Sequence, residues 1–114
     1  TGFTGCLIVE HLDAIMSAPG SKRHRWALAG RNMDALLAIA GKCRTCPSVF
    51  GSQELASLAA HSRVVIAAAG PYCVCGRPVV EACVEGGAHY VDVTGETVFV
   101  HDMVEAYHER ARSK

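Results

Sequence analysis

Glycines at the start of the chain have the spacing of a loop that binds phosphate. Thr1-Gly2-Phe3-Thr4-Gly5 runs directly into a segment with helical apolar periodicity. Glycines at such a position let backbone amides approach a pyrophosphate at the start of a helix, and Thr4 adds a hydroxyl. We therefore predict a dinucleotide ligand that contacts Gly2 and Gly5. Because glycines before a helix are common, the loop is weak evidence alone, and we expect a strand and one more glycine to precede it.

The residue after the next strand indicates which dinucleotide binds. Residues 26–30 have the pattern of a short buried strand, and Arg31 follows it directly. At this point of a dinucleotide-binding fold, an acidic residue pairs with the ribose hydroxyls of NAD, whereas a basic residue pairs with the 2′-phosphate of NADP. Arg31 therefore predicts NADP, with NAD less favoured. The alternative is an ordinary solvated arginine before a helix.

Gly70-Pro71-Tyr72 follows a third strand, over residues 63–69, that is rich in alanine. The continuous apolar run of this strand predicts that it is buried on both faces. Small side chains here would leave room for a nucleotide, although a plain Gly-Pro turn explains the pattern equally well. Tyr72 could act as a general acid. Position 76 is Gly76, however, and not the lysine that lowers the pKa of a tyrosine in some reductases, so we favour a role for Tyr72 in the cofactor wall or in packing.

Two carboxylates, Asp92 and Glu96, come at the end of the last predicted strand. Ligands of open α/β sheets bind outside the carboxyl ends of the strands. These side chains could bind substrate, order the nicotinamide region or act as a base. In the alternative interpretation Asp92 bonds loop amides, and Thr94 or Glu96 helps to start the next helix. The sequence assigns no catalytic residue.

The cysteines and histidines do not indicate a metal site. Cys43-Arg44-Thr45-Cys46 is a C-x-x-C pattern with no second pair at zinc spacing, and the histidines are scattered. We interpret the pattern as an incidental pair in a loop, and we predict that the six cysteines are reduced thiols of a cytoplasmic protein.

Composition is that of one α/β domain. The chain has 114 residues, half of them hydrophobic, with 11 basic and 11 acidic side chains, so its charge indicates no nucleic-acid partner. We predict strands over residues 26–30, 48–51, 63–69 and 89–93. We predict helices over residues 6–16, 32–40, 52–60 and 78–85, followed by a last helix with Phe99, Met103 and Tyr107 on one face. Asn32 and Ser52 are the predicted caps of the second and third helices, and Gly86-Gly87 is the predicted end of the fourth.

Helices and strands that alternate in this way favour a parallel sheet with helices on both faces. We predict an incomplete Rossmann-like doubly wound sheet that lacks its first strand and its later strands. Residues 1–114 would then be part of an NAD(P)-binding domain, without a substrate domain. Without the first strand, two half-sheets would have unpaired edges. We therefore expect the isolated chain to fold poorly and the natural protein to extend at both ends.

Five stretches carry a family resemblance over nearly the whole chain: residues 1–5, 26–31, 70–72, 76–83 and 87–96. They resemble the amino-terminal part of saccharopine dehydrogenase-like oxidoreductases, and related trans-acting enoyl reductases share them. The stretch from Gly-Pro-Tyr to Gly-Glu is more specific than the glycine loop. The resemblance implies an NAD(P)-binding Rossmann domain, followed in full-length members by a second domain that shapes the substrate site.

The resemblance also carries cofactor contacts over to seven residues: Gly2, Phe3, Thr4, Gly5, Arg31, Gly70 and Pro71. It carries over no catalytic residue, and it does not establish saccharopine as the substrate. We expect the nucleotide-binding part of an oxidoreductase that passes a hydride between NADP and a carbonyl, imine or enoyl carbon of a small-molecule or lipid-like substrate. Two alternatives stay open: a non-catalytic NADP-binding protein that associates with a lipid or membrane surface, and a gene fragment without function.

Overall fold

A computed structural model describes residues 2–22 and 24–114. Thr1, which begins the predicted phosphate loop, and Arg23 lie outside the described residues. The chain divides into two compact units, residues 1–53 and 54–114. Each unit holds one pair of parallel strands. Short parallel sheets with interleaved helices confirm the predicted α/β class and a partial Rossmann-like domain.

The first unit contains, in chain order, helix α1 (Phe3–Ser17), strand β1 (Ala27–Gly30), helix α2 (Met33–Ala40) and strand β2 (Ser48–Gly51). The two strands pair in parallel, with Ala27 opposite Ser48 and Gly30 opposite Gly51. A parallel pair requires a crossover connection, which α2 provides. The carboxyl ends of β1 and β2 therefore lie at the same edge of this small sheet.

Local chemistry sets the start of both helices in this unit. Asn32 caps α2 as predicted, since its side-chain oxygen accepts the backbone N–H of Ala35 at 3.0 Å. Helix α1 begins at Phe3, earlier than predicted. Phe3, Thr4 and Gly5 are its first turn and not a loop, because the Cys6 N–H already donates to the Gly2 carbonyl oxygen at 3.0 Å.

Asp13, in the last turns of α1, is buried and ties this helix to the connection before β2. Its carboxylate accepts the N–H groups of Arg44 (3.0 Å) and Thr45 (2.9 Å) and the Thr45 hydroxyl (2.6 Å). The Thr45 hydroxyl oxygen in turn accepts the indole N–H of Trp26 at 2.9 Å. The Thr45 hydroxyl, followed by the Arg44 amide, lowers the pKa of Asp13. Burial, together with Asp13, raises the pKa of the Cys43 thiol, which disfavours a reactive thiolate.

The second unit follows a 3₁₀ turn (Ser52–Glu54) and contains α3 (Leu55–Ala60), β3 (Val64–Ala67), α4 (Tyr72–Cys75), α5 (Arg77–Gly86), β4 (His89–Asp92) and α6 (Thr97–Arg112). Strands β3 and β4 pair in parallel. The prediction of an α-helix over residues 52–60 is wrong for its first three residues, which form the 3₁₀ turn. Glu54, and not Ser52, precedes the α-helix, and it makes no side-chain cap.

The core of the second unit lies on one face of the β3–β4 pair. Its buried cluster consists of Tyr72, Val80, Phe99, Met103 and Tyr107. The predicted apolar face of the last helix is thereby confirmed. Because Ala67 of β3 and Tyr90 of β4 pack against this cluster, the sheet and α6 enclose the same core.

The prediction that β3 is buried on both faces is wrong. Val64 and Ile66 are 52% and 45% exposed, and their neighbour Val91 on β4 is 47% exposed. Side chains alternate between the two faces of a strand. The core described above covers one face of this pair, so the opposite apolar face stays open in this unit.

Two adjacent glycines at the end of α5 have different roles. Gly87 has a φ of +72°, the left-handed conformation of a helix C-cap. Gly86 allows a close approach between α5 and α3, since a Cβ there would lie 2.7 Å from the Ala60 nitrogen and 2.9 Å from the Ala59 carbonyl carbon. Backbone atoms cannot move aside as a flexible side chain can, so Gly86 fixes the distance between these helices.

We expect Gly86→Ala to reduce the free energy of unfolding by about 1–3 kcal/mol, the usual range for overpacking a close contact. Urea unfolding of the full-length protein would measure it. Gly41→Ala is the matched control, because its Cβ would make only ordinary contact with the Leu37 carbonyl oxygen, at 3.4 Å. Equal stability of the two variants would contradict this account of Gly86.

The Asp13 network predicts a pH dependence of stability. A carboxyl whose pKa is lowered by folding stabilises the native state fully above its ordinary value of 3.8. This contribution is lost as the pH falls through the lower folded-state pKa. We expect Asp13→Asn to lower Tm near neutral pH and to lose less Tm than the wild type on acidification. Circular dichroism melts across this range would test it, with exposed Asp34→Asn as control; parallel profiles for Asp13→Asn and wild type would contradict it.

Candidate functional site

The glycines at the start of α1 face open space. Apart from its chain neighbours and its own helix backbone, a Cβ on Gly2 or Gly5 would meet no atom of the described residues within 4 Å. Packing within the described chain therefore does not explain these glycines. No described side chain caps the helix, and Phe3 beside them is 82% exposed. The N–H groups of this first turn are available to an anionic ligand.

Arg31 lies at the carboxyl edge of the first unit's sheet. It follows Gly30, the last residue of β1, and precedes Asn32, the cap of α2. Its side chain is exposed, and no carboxylate of the described residues pairs with it. The charge of its guanidinium is thus free for a ligand, as a contact with a 2′-phosphate requires.

The turn after β3 has an exposed part and a buried part. Gly70 and Pro71, joined by a cis peptide bond, are exposed. Tyr72 is buried, with its ring centroid 5.7 Å from that of Phe99. Its hydroxyl donates to the Ala67 carbonyl oxygen at 2.9 Å. The structure therefore places Tyr72 in the core, and Gly70 and Pro71 form the accessible surface of the turn.

Glu96 reaches from the start of α6 to this same turn. One carboxylate oxygen accepts the Tyr72 N–H at 2.7 Å, and the other accepts the Cys73 N–H at 2.8 Å. The Cys73 thiol, followed by these two amides, lowers the pKa of Glu96, and the carboxylate in turn raises the pKa of that thiol. A carboxylate with a lowered pKa and both oxygens occupied is a poor general base.

Asp92, the last residue of β4, is also engaged in hydrogen bonds. Its oxygens accept the Tyr90 hydroxyl at 2.7 Å and the Thr94 N–H at 3.1 Å. Burial, followed by Asp92, raises the pKa of Tyr90. Asp92 therefore bonds a loop amide, as the second of the two interpretations of the sequence predicts. Sequence reasoning missed Tyr90, although side chains two residues apart share one face of a strand.

The structure explains why position 76 is a glycine and not the lysine that some reductases have there. A Cβ at this position would lie 2.6 Å from the Phe99 ring and 2.7 Å from the Tyr72 carbonyl oxygen. Neither lysine nor any other side chain fits there without displacing Phe99. The position that some reductases give to a lysine is used here for close packing of α4 against α6.

A cavity of about 590 Å³ lies between α5, β4 and α6 in the second unit. Apolar side chains such as Val80 and Met103 line it, and Tyr90 and Asp92 add polar atoms. No sequence motif indicates this cavity, because its lining comes from three separate elements. Over residues 2–22 and 24–114, no three potential metal ligands cluster, and no helix is long and apolar enough to cross a membrane.

These features together are typical of one class of protein, the α/β nucleotide-binding domains. They are the parallel strand pairs, the basic residue after the first strand and the glycines at a helix start that no side chain covers. Residues 20–114 match the family model described as the saccharopine dehydrogenase NADP binding domain. The chain belongs to this family, which confirms the resemblance found in the sequence and NADP as the cofactor. All of α1, with the glycines at its start, lies outside the matched range.

Several relatives cover almost all of this chain. It is 34% identical over 119 residues to proteins named trans-acting enoyl reductase from Mycobacterium tuberculosis and Mycobacterium bovis, a match that spans 97% of the chain and 27% of theirs. It is 32% identical over 129 residues to a saccharopine dehydrogenase-like oxidoreductase from Bos taurus, over 100% of the chain and 30% of that protein. The chain thus spans less than a third of their length. No solved structure matches it.

The buried position of Tyr72 predicts how its variants behave. Tyr72→Phe removes one hydrogen bond to a backbone carbonyl and should cost about 1 kcal/mol of unfolding free energy. Tyr72→Ala removes the ring from the core and should cost at least about 3 kcal/mol. Denaturant unfolding of both variants would measure the difference. Similar losses in the two variants would contradict a packing role for the ring.

Proposed function

We propose that this chain is the nucleotide-binding part of an oxidoreductase that passes a hydride between NADP and a carbonyl, imine or enoyl carbon. The observation that carries the proposal is Arg31, exposed and without a carboxylate partner in the described chain, within a domain of an NADP-binding family. Relatives named enoyl reductase and oxidoreductase support a reductive activity for the whole protein. Its substrate would be a small molecule, including lipid-like enoyl compounds.

In the first unit, we propose that the pyrophosphate binds at the start of α1. The amides of Phe3, Thr4 and Gly5 would donate to it, and Gly2 and Gly5 would leave it room. The open space around both glycines supports this assignment. Arg31 would pair with the 2′-phosphate, which separates NADP from NAD.

In the second unit, we propose that Gly70 and Pro71 contact the nicotinamide half of the cofactor. Their exposure and their position after the carboxyl end of β3 support this role. When bound, NADPH would supply the hydride or NADP⁺ would accept it, and the protein would orient the nicotinamide. We also propose a cytoplasmic location, because a regular apolar chain with six cysteines does not need disulfides to fold.

A second candidate is a non-catalytic NADP-binding protein, with lipid-surface association as one use of the domain. It is favoured by one observation: Tyr72, Asp92 and Glu96 all hold structural hydrogen bonds. Assays of the full-length protein with NADPH against imines, aldehydes and enoyl thioesters separate the two. Binding of NADPH without turnover of any of them would favour the second candidate.

Thermal protection by NADPH tests the proposed function. At 100 times its dissociation constant, a ligand that binds only the native state stabilises it by about 2.7 kcal/mol. We expect Tm of the full-length protein to rise with NADPH and to rise less with the same concentration of NADH. No protection by either nucleotide would overturn the proposal.

Arg31→Ala should weaken NADPH binding by about 10- to 100-fold, because charge-assisted bonds to the 2′-phosphate are lost, and should leave NADH binding nearly unchanged. Arg25→Ala is the matched control, since Arg25 is an exposed arginine that precedes β1 at the opposite edge. Dissociation constants from fluorescence titration would give both ratios. Equal losses for the two cofactors would contradict the role of Arg31.

A further inference from the structure

We propose that Glu96 is a positioning residue, whose carboxylate holds the turn over residues 70–72 in the orientation that receives the nicotinamide half of NADP. This inference rests on the proposed function. It adds a residue that touches no ligand itself and acts through the turn.

The geometry is bidentate. The two carboxylate oxygens of Glu96 accept two successive amides, those of Tyr72 and Cys73, across 24 and 23 residues of sequence. These amides come directly after Pro71. A single side chain therefore joins the loop after β4 to the loop after β3, and it fixes two consecutive peptide units of the turn.

Glu96 is itself held from β4 by a short series of hydrogen bonds. Its N–H donates to the Thr94 hydroxyl oxygen at 3.0 Å. The Thr94 N–H donates to Asp92, which also accepts the Tyr90 hydroxyl. Because Tyr90 packs against the core of the unit, this series of hydrogen bonds connects the backbone of Glu96 to the core.

The turn is supported on its other side as well. The Tyr72 hydroxyl bonds the Ala67 carbonyl oxygen, and its ring packs on Phe99. With Tyr72 fixed at its hydroxyl and at its N–H, the residues left to face a ligand are Gly70 and Pro71. Glu96 therefore determines where this exposed surface stands, without being part of it.

The chemistry requires a carboxylate of this length. Two convergent N–H donors need two acceptor oxygens, which Glu96 provides. Glutamine has the same shape but offers one oxygen, and its NH₂ group would face an N–H group. Aspartate keeps both oxygens but is shorter by one methylene.

The experiment compares two probes on the full-length protein by isothermal titration calorimetry: NADPH and 2′,5′-ADP, which lacks the nicotinamide half. In Glu96→Gln the Kd for NADPH should rise about tenfold or more, while the Kd for 2′,5′-ADP should stay within about twofold. Glu105→Gln is the matched control, since it removes the same charge from an exposed position on α6. It should change neither Kd.

Unchanged constants for both probes in Glu96→Gln would overturn the proposal, and so would equal losses for both, which would indicate a structural role alone. If Glu96→Gln does not fold, Glu96→Asp decides by the same ratio of the two constants. If Glu96→Asp does not fold either, the role is structural and the proposal is wrong. Wild-type protein that binds neither probe would refute the proposed function, and with it this inference.

Discussion

Parallel pairing of strands that follow one another along the chain is the constraint on which the rest of the structure depends. In each unit a helical crossover separates the paired strands, so their carboxyl ends meet at one edge. The residues that follow those ends therefore lie near each other at that edge, although they are distant in sequence. Arg31 stands at this edge of the first unit, and Gly70, Pro71 and Glu96 stand at this edge of the second.

Buried or half-buried carboxylates hold the loops at both edges. At the amino edge of the first unit, Asp13 accepts the amides of the connection before β2. At the carboxyl edge of the second unit, Asp92 and Glu96 accept amides of the loops after both strands. The same physical device, a carboxylate that satisfies convergent N–H groups, therefore serves stability in one place and the proposed shape of a binding surface in the other.

The sequence predicts what neighbours along the chain determine. The cap at Asn32 and the end of α5 at Gly87 are confirmed, because both depend on local backbone geometry. It does not predict contacts between distant residues. The bonds from Tyr72 to Glu96 cross 24 residues, and Gly76 is explained only by an aromatic ring on another helix. The sequence identifies Glu96 but leaves its role open, and the structure adds that its carboxylate accepts the amides of Tyr72 and Cys73.

We propose above all that NADP contacts the start of α1 and the residues that follow the carboxyl ends of β1 and β3. Amide chemical shifts of the ¹⁵N-labelled full-length protein, followed during titration with NADPH, test it most directly. We expect changes at Gly5, Arg31 and Tyr72, and little change at Thr45 and Ser62, which precede β2 and β3 at the amino edges. Changes confined to the amino edges, or none at saturating NADPH, would contradict it.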